Sequence, residues 1–259
     1  MDEIPIISHN PKEEDIITPL KEYEYELKFK PRLNYPEICI VIFQKGLMDD
    51  FKKDLNLKVI DKLLGYELYL IEYKRKRFGL INFGIGAPLS ALLLERLIVR
   101  GFKKFITIGI SGSLKLDSKV GDICLCIKSV RDEGTSYHYL PPSKFVESSD
   151  ILNNLIRISF DNSNIPYNDC ISWTTDSGYK ESKIKAKQYR KEGVSCIDME
   201  SAALFAVAKH RNIDLSSLFI LSDFVNEDFD WNPKFHEDDK IKRSLVKIKF
   251  CLLNIIENI

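Results

Sequence analysis

The sequence predicts an α/β protein, a three-layer sandwich in which a central mixed sheet is flanked by helices. Apolar runs of strand length alternate with segments whose apolar residues recur at helical spacing, and no linker-like stretch separates them. The chain has 259 residues and 44% hydrophobic composition, which is enough for one domain with a large core. We therefore expect an N-terminal arm over residues 1–36 and a single domain over 37–259.

The arm is charged and rich in proline, which favours an extended segment over a core element. In the first half of the domain, Pro88 lies near the start of an apolar helical pattern, where a missing N–H costs nothing. The elements expected here are, in order, strand "ICIVIFQ", short amphipathic helix "LMDDFKKDL", a hairpin of "YELYLIEY" and "RFGLINF", helix "APLSALLLERLIVR" and strand "KFITIGI", closed by the glycine-containing "SGS".

The second half continues the alternation and ends in a helix with an apolar stripe over residues 240–259. Before this last helix we expect, in order, strand "GDICLCIKSV", polar loop "RDEGTSYHYLPPS", a helix over about 150–160, strand "DCISW", polar turn "TTDSGYKES", a helix to residue 192, a short strand over 194–197, an alanine-rich helix after it, and strand "LSSLFILSD". Strands and helices thus follow one another to the end of the chain.

Charge and cysteine content exclude several classes of function. Lysine plus arginine equals aspartate plus glutamate at 38 each, so no overall field attracts the protein to nucleic acid or to an anionic membrane. No apolar run approaches the ~20 residues of a membrane helix, and the polar N-terminus has no signal core. The six cysteines lie among apolar residues without zinc-type spacing. We expect a cytoplasmic protein with buried, reduced cysteines and no metal site.

Three carboxylates stand where elements change. Asp198 and Glu200 lie between a short strand and the apolar helix of "VSCIDMESAALFAVAKH", and Asp223 ends the strand "LFILSD". Each has a structural explanation: Asp198 as a helix cap, Glu200 as a favourable charge in a first helical turn, and Asp223 as the cap of a loop. Other polar and glycine-rich segments also follow strands, however, and in such sheets ligands bind beyond the strand ends.

The ordered motifs resemble the nucleoside phosphorylase superfamily, which includes uridine phosphorylase, hexameric-type purine nucleoside phosphorylases and methylthioadenosine/adenosylhomocysteine nucleosidases. The segments that carry the resemblance are "GIGAPLSALLLERL", "FITIGISGSL", "VGDI", "RDEGTSYHYLPPS", "TTDSGY", "GVSCIDMESAALFAVA" and "LSD". The loop "RDEGTSYHY" looks most like uridine-phosphorylase-like members. The resemblance implies a phosphorylase/hydrolase-like fold, no cofactor besides phosphate as co-substrate, and a homodimer or a hexamer built as a trimer of dimers.

The resemblance also implies roles for particular residues. Glu200 would bind the ribose hydroxyls and stabilise a ribosyl cation-like state, with Met199 against the sugar and His138 at the 5′-hydroxyl or merely packed. Asp223 would be the acid at the purine N7, which favours a purine over a pyrimidine. Base contacts would come from Thr175, Tyr179 and Asp223. The catalytic pair would therefore be Glu200 and Asp223.

The phosphate site departs most from the family pattern. The candidates are Lys45 and Gly46 after the first strand, Ser111 in the "GISGS" turn, and Arg131, which is alternatively a salt-bridge partner of Asp132 or Glu133. Thr107 stands where the family usually has an arginine. Three readings follow: a phosphorylase that makes ribose 1-phosphate and a free base, a nucleosidase that uses water, and a nucleoside-binding relative without catalysis.

Overall fold

The computed structural model describes residues 14–234 and 238–258, which contain seven α-helices and eleven strands. The helices are α1 (Pro19–Glu26), α2 (Lys45–Asp54), α3 (Ala87–Ile98), α4 (Asp150–Asn162), α5 (Lys183–Lys191), α6 (Ser201–Arg211) and α7 (Asp238–Asn258). The strands are β1 (Ile38–Ile42), β2 (Leu57–Leu63), β3 (Tyr66–Tyr73), β4 (Lys76–Asn82), β5 (Lys104–Ser113), β6 (Ile123–Asp132), β7 (Phe145–Glu147), β8 (Asn168–Thr175), β9 (Cys196–Asp198), β10 (Asp214–Val225) and β11 (Trp231–Pro233).

One mixed sheet holds these strands in the order β11-β10-β6-β8-β9-β5-β1-β4-β3-β2, with β7 paired to β6. An additional pairing of β10 with β5 closes five of them, β5, β10, β6, β8 and β9, into a ring. The ring is mixed: β5–β10, β6–β8 and β8–β9 are parallel, whereas β6–β10 and β5–β9 are antiparallel. The sheet is therefore open at β2 and curls into a barrel at its other end.

Helices cover both faces of the sheet and give the three layers that the sequence predicts. One core cluster joins the strands to α2, α4 and α7, through residues such as Phe51, Phe160 and Ile248. The other joins them to α3 and α6, through residues such as Leu94 and Phe205. The whole of α6 from Ser201 to Ala208 is buried, since its alanines let the helix lie close against the strands.

The N-terminal arm differs from the expected extended segment over its described part. Residues 19–26 form α1, whose N-cap Thr18 accepts a hydrogen bond from the Lys21 N–H. The Tyr23 side chain is buried, and the Arg100 guanidinium lies 4.8 Å from its ring centre. The prediction was wrong here because Pro19 stands at the first turn of a helix, where proline is tolerated, rather than breaking one. Residues 1–13 lie outside the described residues.

Three strands were not predicted. β2 pairs with β3 and extends the expected hairpin to a three-stranded meander. Both faces of β2 are partly exposed and carry charged residues, so its sequence lacks the alternation of apolar and polar residues that predicts a strand. β7 and β11 have only three residues each and are edge additions to β6 and β10. Across the described parts of the chain, no helix combines the length and apolar character needed to span a membrane.

Candidate active site

A cavity of about 580 Å³ opens where the ends of β5, β9 and β10 meet. Its walls come from these strands, from the residues after β1, from the segment before α5 and from β11. Phe219, Val225 and Phe229 give it an apolar side, and four carboxylates line it, namely Glu181, Asp198, Glu200 and Asp223. An apolar wall with convergent polar groups is the usual form of a small-molecule site.

Asp198 holds the junction between β9 and α6. Its Oδ1 accepts hydrogen bonds from the hydroxyls of Ser172 at 2.6 Å, Thr174 at 2.8 Å and Ser201 at 2.9 Å. Its Oδ2 accepts from the N–H groups of Glu200 at 2.9 Å and Ser201 at 2.6 Å. Five donors occupy both oxygens, so Asp198 acts as a cap that fixes the start of α6, the structural role that the sequence suggested.

Glu200 is the residue that this cap positions. It lies at the N-cap of α6, and its Oε1 accepts a hydrogen bond of 2.7 Å from the N–H of Gly86, which precedes α3. Gly86 has a φ of 109°, a conformation that favours glycine. Burial, together with the charge of Asp198, raises the pKa of Glu200 to about 7. A substrate hydroxyl that donates to this carboxyl would therefore favour its charged form.

Asp223 lies on β10 at a bulge that interrupts the pairing with β5 between Leu221 and Asp223. Its Oδ1 accepts from the Ser222 hydroxyl at 2.6 Å, and its Oδ2 accepts from the Trp231 indole N–H at 2.8 Å. A Cβ at Gly112 would stand 3.2 Å from Asp223 Oδ2, so the glycine leaves room for the carboxylate. These contacts aim the acid while leaving lone pairs for a ligand.

Sequence reasoning missed Glu181 and Trp231. Glu181 lies in the segment before α5 and lines the cavity, where partial burial and the charge of Asp223 raise its pKa to about 7. Trp231 comes from β11 and donates to Asp223. Glu181 lies in the predicted polar turn "TTDSGYKES" but beyond its "TTDSGY" motif, and Trp231 follows no predicted strand, so neither residue was singled out. Tyr179, predicted to contact the base, does line the cavity, with its side chain fully exposed at the rim.

The candidate phosphate ligands are not brought together. Ser111 lines the cavity, but its hydroxyl donates to the carbonyls of Gly112 and Ile197 and accepts from the Ile197 N–H. Lys45 and Gly46 are exposed at the start of α2, next to Gln44, which lines the cavity. Phosphate contact by Ser111 would thus compete with its bonds to β9.

Arg131 is corrected by the structure, which places it outside the cavity lining. Its guanidinium donates to the hydroxyls of Ser136 and Ser143 and to the carbonyls of Leu140 and Pro141. The neighbouring acids that the alternative named, Asp132 and Glu133, are not among these hydrogen-bond partners. Arg131 holds the 133–143 loop in shape.

The remaining predicted residues divide between the cavity and the surface. Met199 lines the cavity beside Glu200. Thr175 is buried outside the lining, and its hydroxyl accepts from the Ser177 N–H. His138 is the exposed last residue of a single turn of 3-10 helix and does not line the cavity of its own chain. The site within one chain is therefore built from Met199, Glu200, Ser111, Tyr179 and Asp223 of the predicted set.

Comparison with known proteins gives matches over most of the chain. A family model described as the Phosphorylase superfamily matches residues 37–251. Purine nucleoside phosphorylase of Plasmodium falciparum (isolate 3D7) is 28% identical over 220 residues, which cover 80% of this chain and 89% of that protein.

Solved structures share the fold. Uridine phosphorylase from Vibrio fischeri ES114 has a TM-score of 0.73 at 21% identity, over 86% of this chain and 91% of that one. The 5′-methylthioadenosine/S-adenosyl homocysteine nucleosidase of Campylobacter jejuni has a TM-score of 0.73 at 18% identity, over 86% of this chain and 100% of that one. The same architecture thus serves proteins named for phosphorolysis and for hydrolysis.

Proposed function

The chain belongs to the Phosphorylase superfamily, and from this premise we propose that it cleaves the N-glycosidic bond of a purine nucleoside with phosphate as the acceptor. The observation that carries the proposal is that Glu200 and Asp223, each held by hydrogen bonds from its own surroundings, line one cavity. A protein that only bound nucleosides would need no positioned acid beside the base. The cavity therefore favours an enzyme over a binding protein.

Glu200 is proposed to bind the ribose. As the glycosidic bond breaks, positive charge develops on the sugar, and a carboxylate that accepts from its hydroxyls stabilises that charge. The Gly86 N–H fixes one oxygen of Glu200 and leaves the other for the sugar. Met199 supplies an apolar contact beside it. Since the network of Asp198 holds the N–H of Glu200, this carboxylate is positioned before the substrate arrives.

Asp223 is proposed to supply or share a proton with N7 of the departing purine. The apolar walls of Phe219, Val225 and Phe229 suit a flat base, and Tyr179 stands at the rim. The negative charge of the leaving base is neutralised as the bond breaks, which lowers the barrier. Trp231 and Ser222 keep the carboxyl at one orientation throughout.

Phosphate as the acceptor is supported by the start of α2 and by the named relatives. The N-cap of α2, Gln44, makes no side-chain cap, so the first N–H groups of this helix are available at the edge of the cavity, with Lys45 beside them. Purine nucleoside phosphorylase is also the name of the relative from Plasmodium falciparum. These features favour the binding of an anion at the start of α2.

Hydrolysis is the second candidate, because one observation favours it. Among the described residues that line the cavity, Lys183 is the only lysine or arginine, and it is ion-paired with Asp230. Four carboxylates share the same lining. A negatively charged wall repels phosphate, whereas it does not repel water.

Product analysis separates the two candidates. The protein is incubated with inosine, guanosine, adenosine and uridine in buffers with and without phosphate. We expect ribose 1-phosphate and a free purine, and no turnover when phosphate is omitted. Free ribose formed at the same rate in both buffers would show that the reaction is hydrolysis and not phosphorolysis. Glu200→Gln is the catalytic control and should lower turnover by roughly 100-fold. Failure of the wild type to cleave any of the four nucleosides would overturn the proposed function.

We also propose that the active form is a homodimer or a trimer of dimers. His138 is exposed on one chain and lies outside that chain's own cavity. A neighbouring copy would bring this histidine to the ribose end of the cavity across the interface.

A further inference from the structure

Three cysteine thiols meet inside the closed ring of strands. Cys124 on β6, Cys170 on β8 and Cys196 on β9 have their Sγ atoms all within 4.8 Å of one another. The side chains are 0 to 4% exposed. In sequence these residues are far apart, so the pairing of β6 with β8 and of β8 with β9 creates the cluster.

A fourth thiol lies next to the three. Cys126 stands directly opposite Cys170 in the parallel pairing of β6 and β8. All four cysteines belong to one buried core cluster, which also contains Phe205 of α6. We refer to Cys124, Cys126, Cys170 and Cys196 as the thiol cluster. The other two cysteines are buried elsewhere: Cys39 on β1 and Cys251 on α7.

The thiol cluster is separate from the nucleoside cavity, whose lining contains no cysteine among the described residues. Along β8 and β9, the thiol cluster lies next to the hydrogen-bond network of Asp198. Cys170 precedes Ser172 by two residues, and Cys196 precedes Asp198 by two residues, so each pair points to the same face of its strand. The cluster is therefore the layer below the hydroxyl groups that hold Asp198.

We propose that the thiol cluster binds a zinc ion, with Cys124, Cys170 and Cys196 as three ligands and Cys126 as the fourth. Zinc prefers four tetrahedral ligands, and thiolates at a Zn–S distance of about 2.3 Å lie roughly 3.8 Å from one another. The spacings below 4.8 Å among Cys124, Cys170 and Cys196 need only small inward shifts of these three side chains to reach that geometry. Cys126 lies outside this set, and its side chain has to turn further to become the fourth ligand. A closed set of four protein ligands is the form of a structural site rather than a catalytic one.

Binding converts four thiols to thiolates and releases their protons, so the ion cancels two of the four negative charges. Since the cluster is buried, the ion has to enter before the ring closes, and its binding free energy then adds to folding. Sequence spacing does not predict this site, because ligands on neighbouring strands do not follow the short spacings of zinc loops.

The test uses the full chain, refolded from urea under reducing conditions with or without Zn²⁺. After exhaustive dialysis, bound metal is measured by mass spectrometry, and Co²⁺ is substituted to record thiolate-to-metal charge-transfer absorption. We expect one zinc per chain, a charge-transfer band with Co²⁺, and a higher melting temperature for the zinc-refolded protein. The zinc measurements do not depend on nucleoside cleavage, so they test the zinc proposal independently of the proposed function.

Matched variants make the test specific. Cys170→Ser should lose the stoichiometric zinc and the Co²⁺ band, whereas Cys39→Ser and Cys251→Ser, which also remove buried thiols, should keep both. Cys126→Ser retains three ligands and should bind at least tenfold more weakly; it covers the case in which Cys170→Ser fails to fold. Absence of stoichiometric zinc from the refolded wild type, or retention of the band in both cluster variants, would overturn the proposal.

Discussion

At the scale of single residues, the site depends on acids whose surroundings differ. Asp198 has both oxygens filled by donors from the protein, whereas Glu200 has one oxygen bound by Gly86 and Asp223 is held by two neutral donors. The same functional group thus serves as a helix cap at Asp198, whereas at Glu200 and Asp223 it keeps acceptor positions open to the cavity. The number of protein donors that reach each carboxylate decides whether its oxygens remain available to a ligand.

We predict that Asp223→Asn distinguishes purine from pyrimidine chemistry. Asparagine keeps an oxygen for the Trp231 N–H but holds no proton to give, so turnover of inosine or adenosine should fall by about 100- to 10,000-fold. Uridine gains little from an acid at this place and should be cleaved at an unchanged rate if it is a substrate. Steady-state kinetics on both nucleosides provide the measurement.

The control is Asp228→Asn, an exposed acid five residues further along, which should leave both rates unchanged. Normal cleavage of inosine by Asp223→Asn would show that the carboxylate is only a structural cap.

The sequence located Glu200 and Asp223 at the ends of apolar strands, which converge in an α/β sheet, and the family resemblance then singled them out as candidate site residues. Glu181 and Trp231 reach the same cavity from a turn and from a three-residue strand whose paths depend on tertiary packing. Arg131 shows the opposite error: its charge suggested an anion, but the loop after β6 supplies four oxygen acceptors from within the protein. Local pattern thus located the strand ends and not the loops that cross them.

At the scale of elements, helix α1 is tied to the domain through Arg100 at the end of α3. The Arg100 side chain is 1% exposed and lies 2.6 Å from Glu26 of α1 and 2.7 Å from Asp61 of β2. Asp61 also accepts from the Tyr35 hydroxyl at 2.9 Å. One guanidinium therefore joins a helix, a strand and the segment between them.

We predict that Arg100→Met lowers the free energy of unfolding by about 2 kcal/mol, because it removes the buried cation from Glu26 and Asp61 and leaves them paired only with cations nearer the surface, chiefly Lys30 at 2.8 Å and 3.1 Å. Lys103→Met is the matched control: it removes an ion pair with Glu37, but both of those side chains are largely exposed, so the loss should be at most about 1 kcal/mol. Urea unfolding followed by circular dichroism measures both. Equal losses in the two variants would show that α1 is not held through Arg100.

The sequence predicted long apolar elements well and short or polar ones poorly. β1, β5 and β10 are buried along most of their length, so composition alone marks them. β2 has charged residues on both faces, and α1 has few apolar residues, so their burial comes from partners such as Arg100 rather than from their own pattern. Such elements are therefore not predicted from the local sequence, because they depend on contacts with distant residues.

At the scale of the whole molecule, the fold holds a carboxyl group whose pKa is raised to about 7 by burial and by the charge of Asp198. The unfolded chain ionises Glu200 near its ordinary value of about 4.3. Between these values the folded state binds more protons than the unfolded state, so stability falls as the pH rises. This contribution is complete below about pH 4 and lost as the pH passes 7.

We predict that the free energy of unfolding of the ligand-free protein declines by about 1–2 kcal/mol more between pH 5.5 and 8 than that of Glu200→Gln, which is neutral throughout. Urea unfolding at a series of pH values gives the comparison. Glu192→Gln, an exposed acid whose pKa is lowered by hydrogen bonding to Lys144, should retain the wild-type slope over this range. Parallel curves for wild type and Glu200→Gln would contradict the prediction.

The closure of β10 onto β5 sets the order in which the protein is completed during synthesis. Thr107 and Ser217 share a hydroxyl contact across this pairing, although 110 residues separate them in the chain. Until β10 has left the ribosome, β5 lacks a neighbour on one side and the cavity lacks Asp223. A nascent chain released before that point has an unpaired inner strand, the kind of edge that chaperones cover. The synthesis of β10 is thus the step at which both the ring and the cavity become complete.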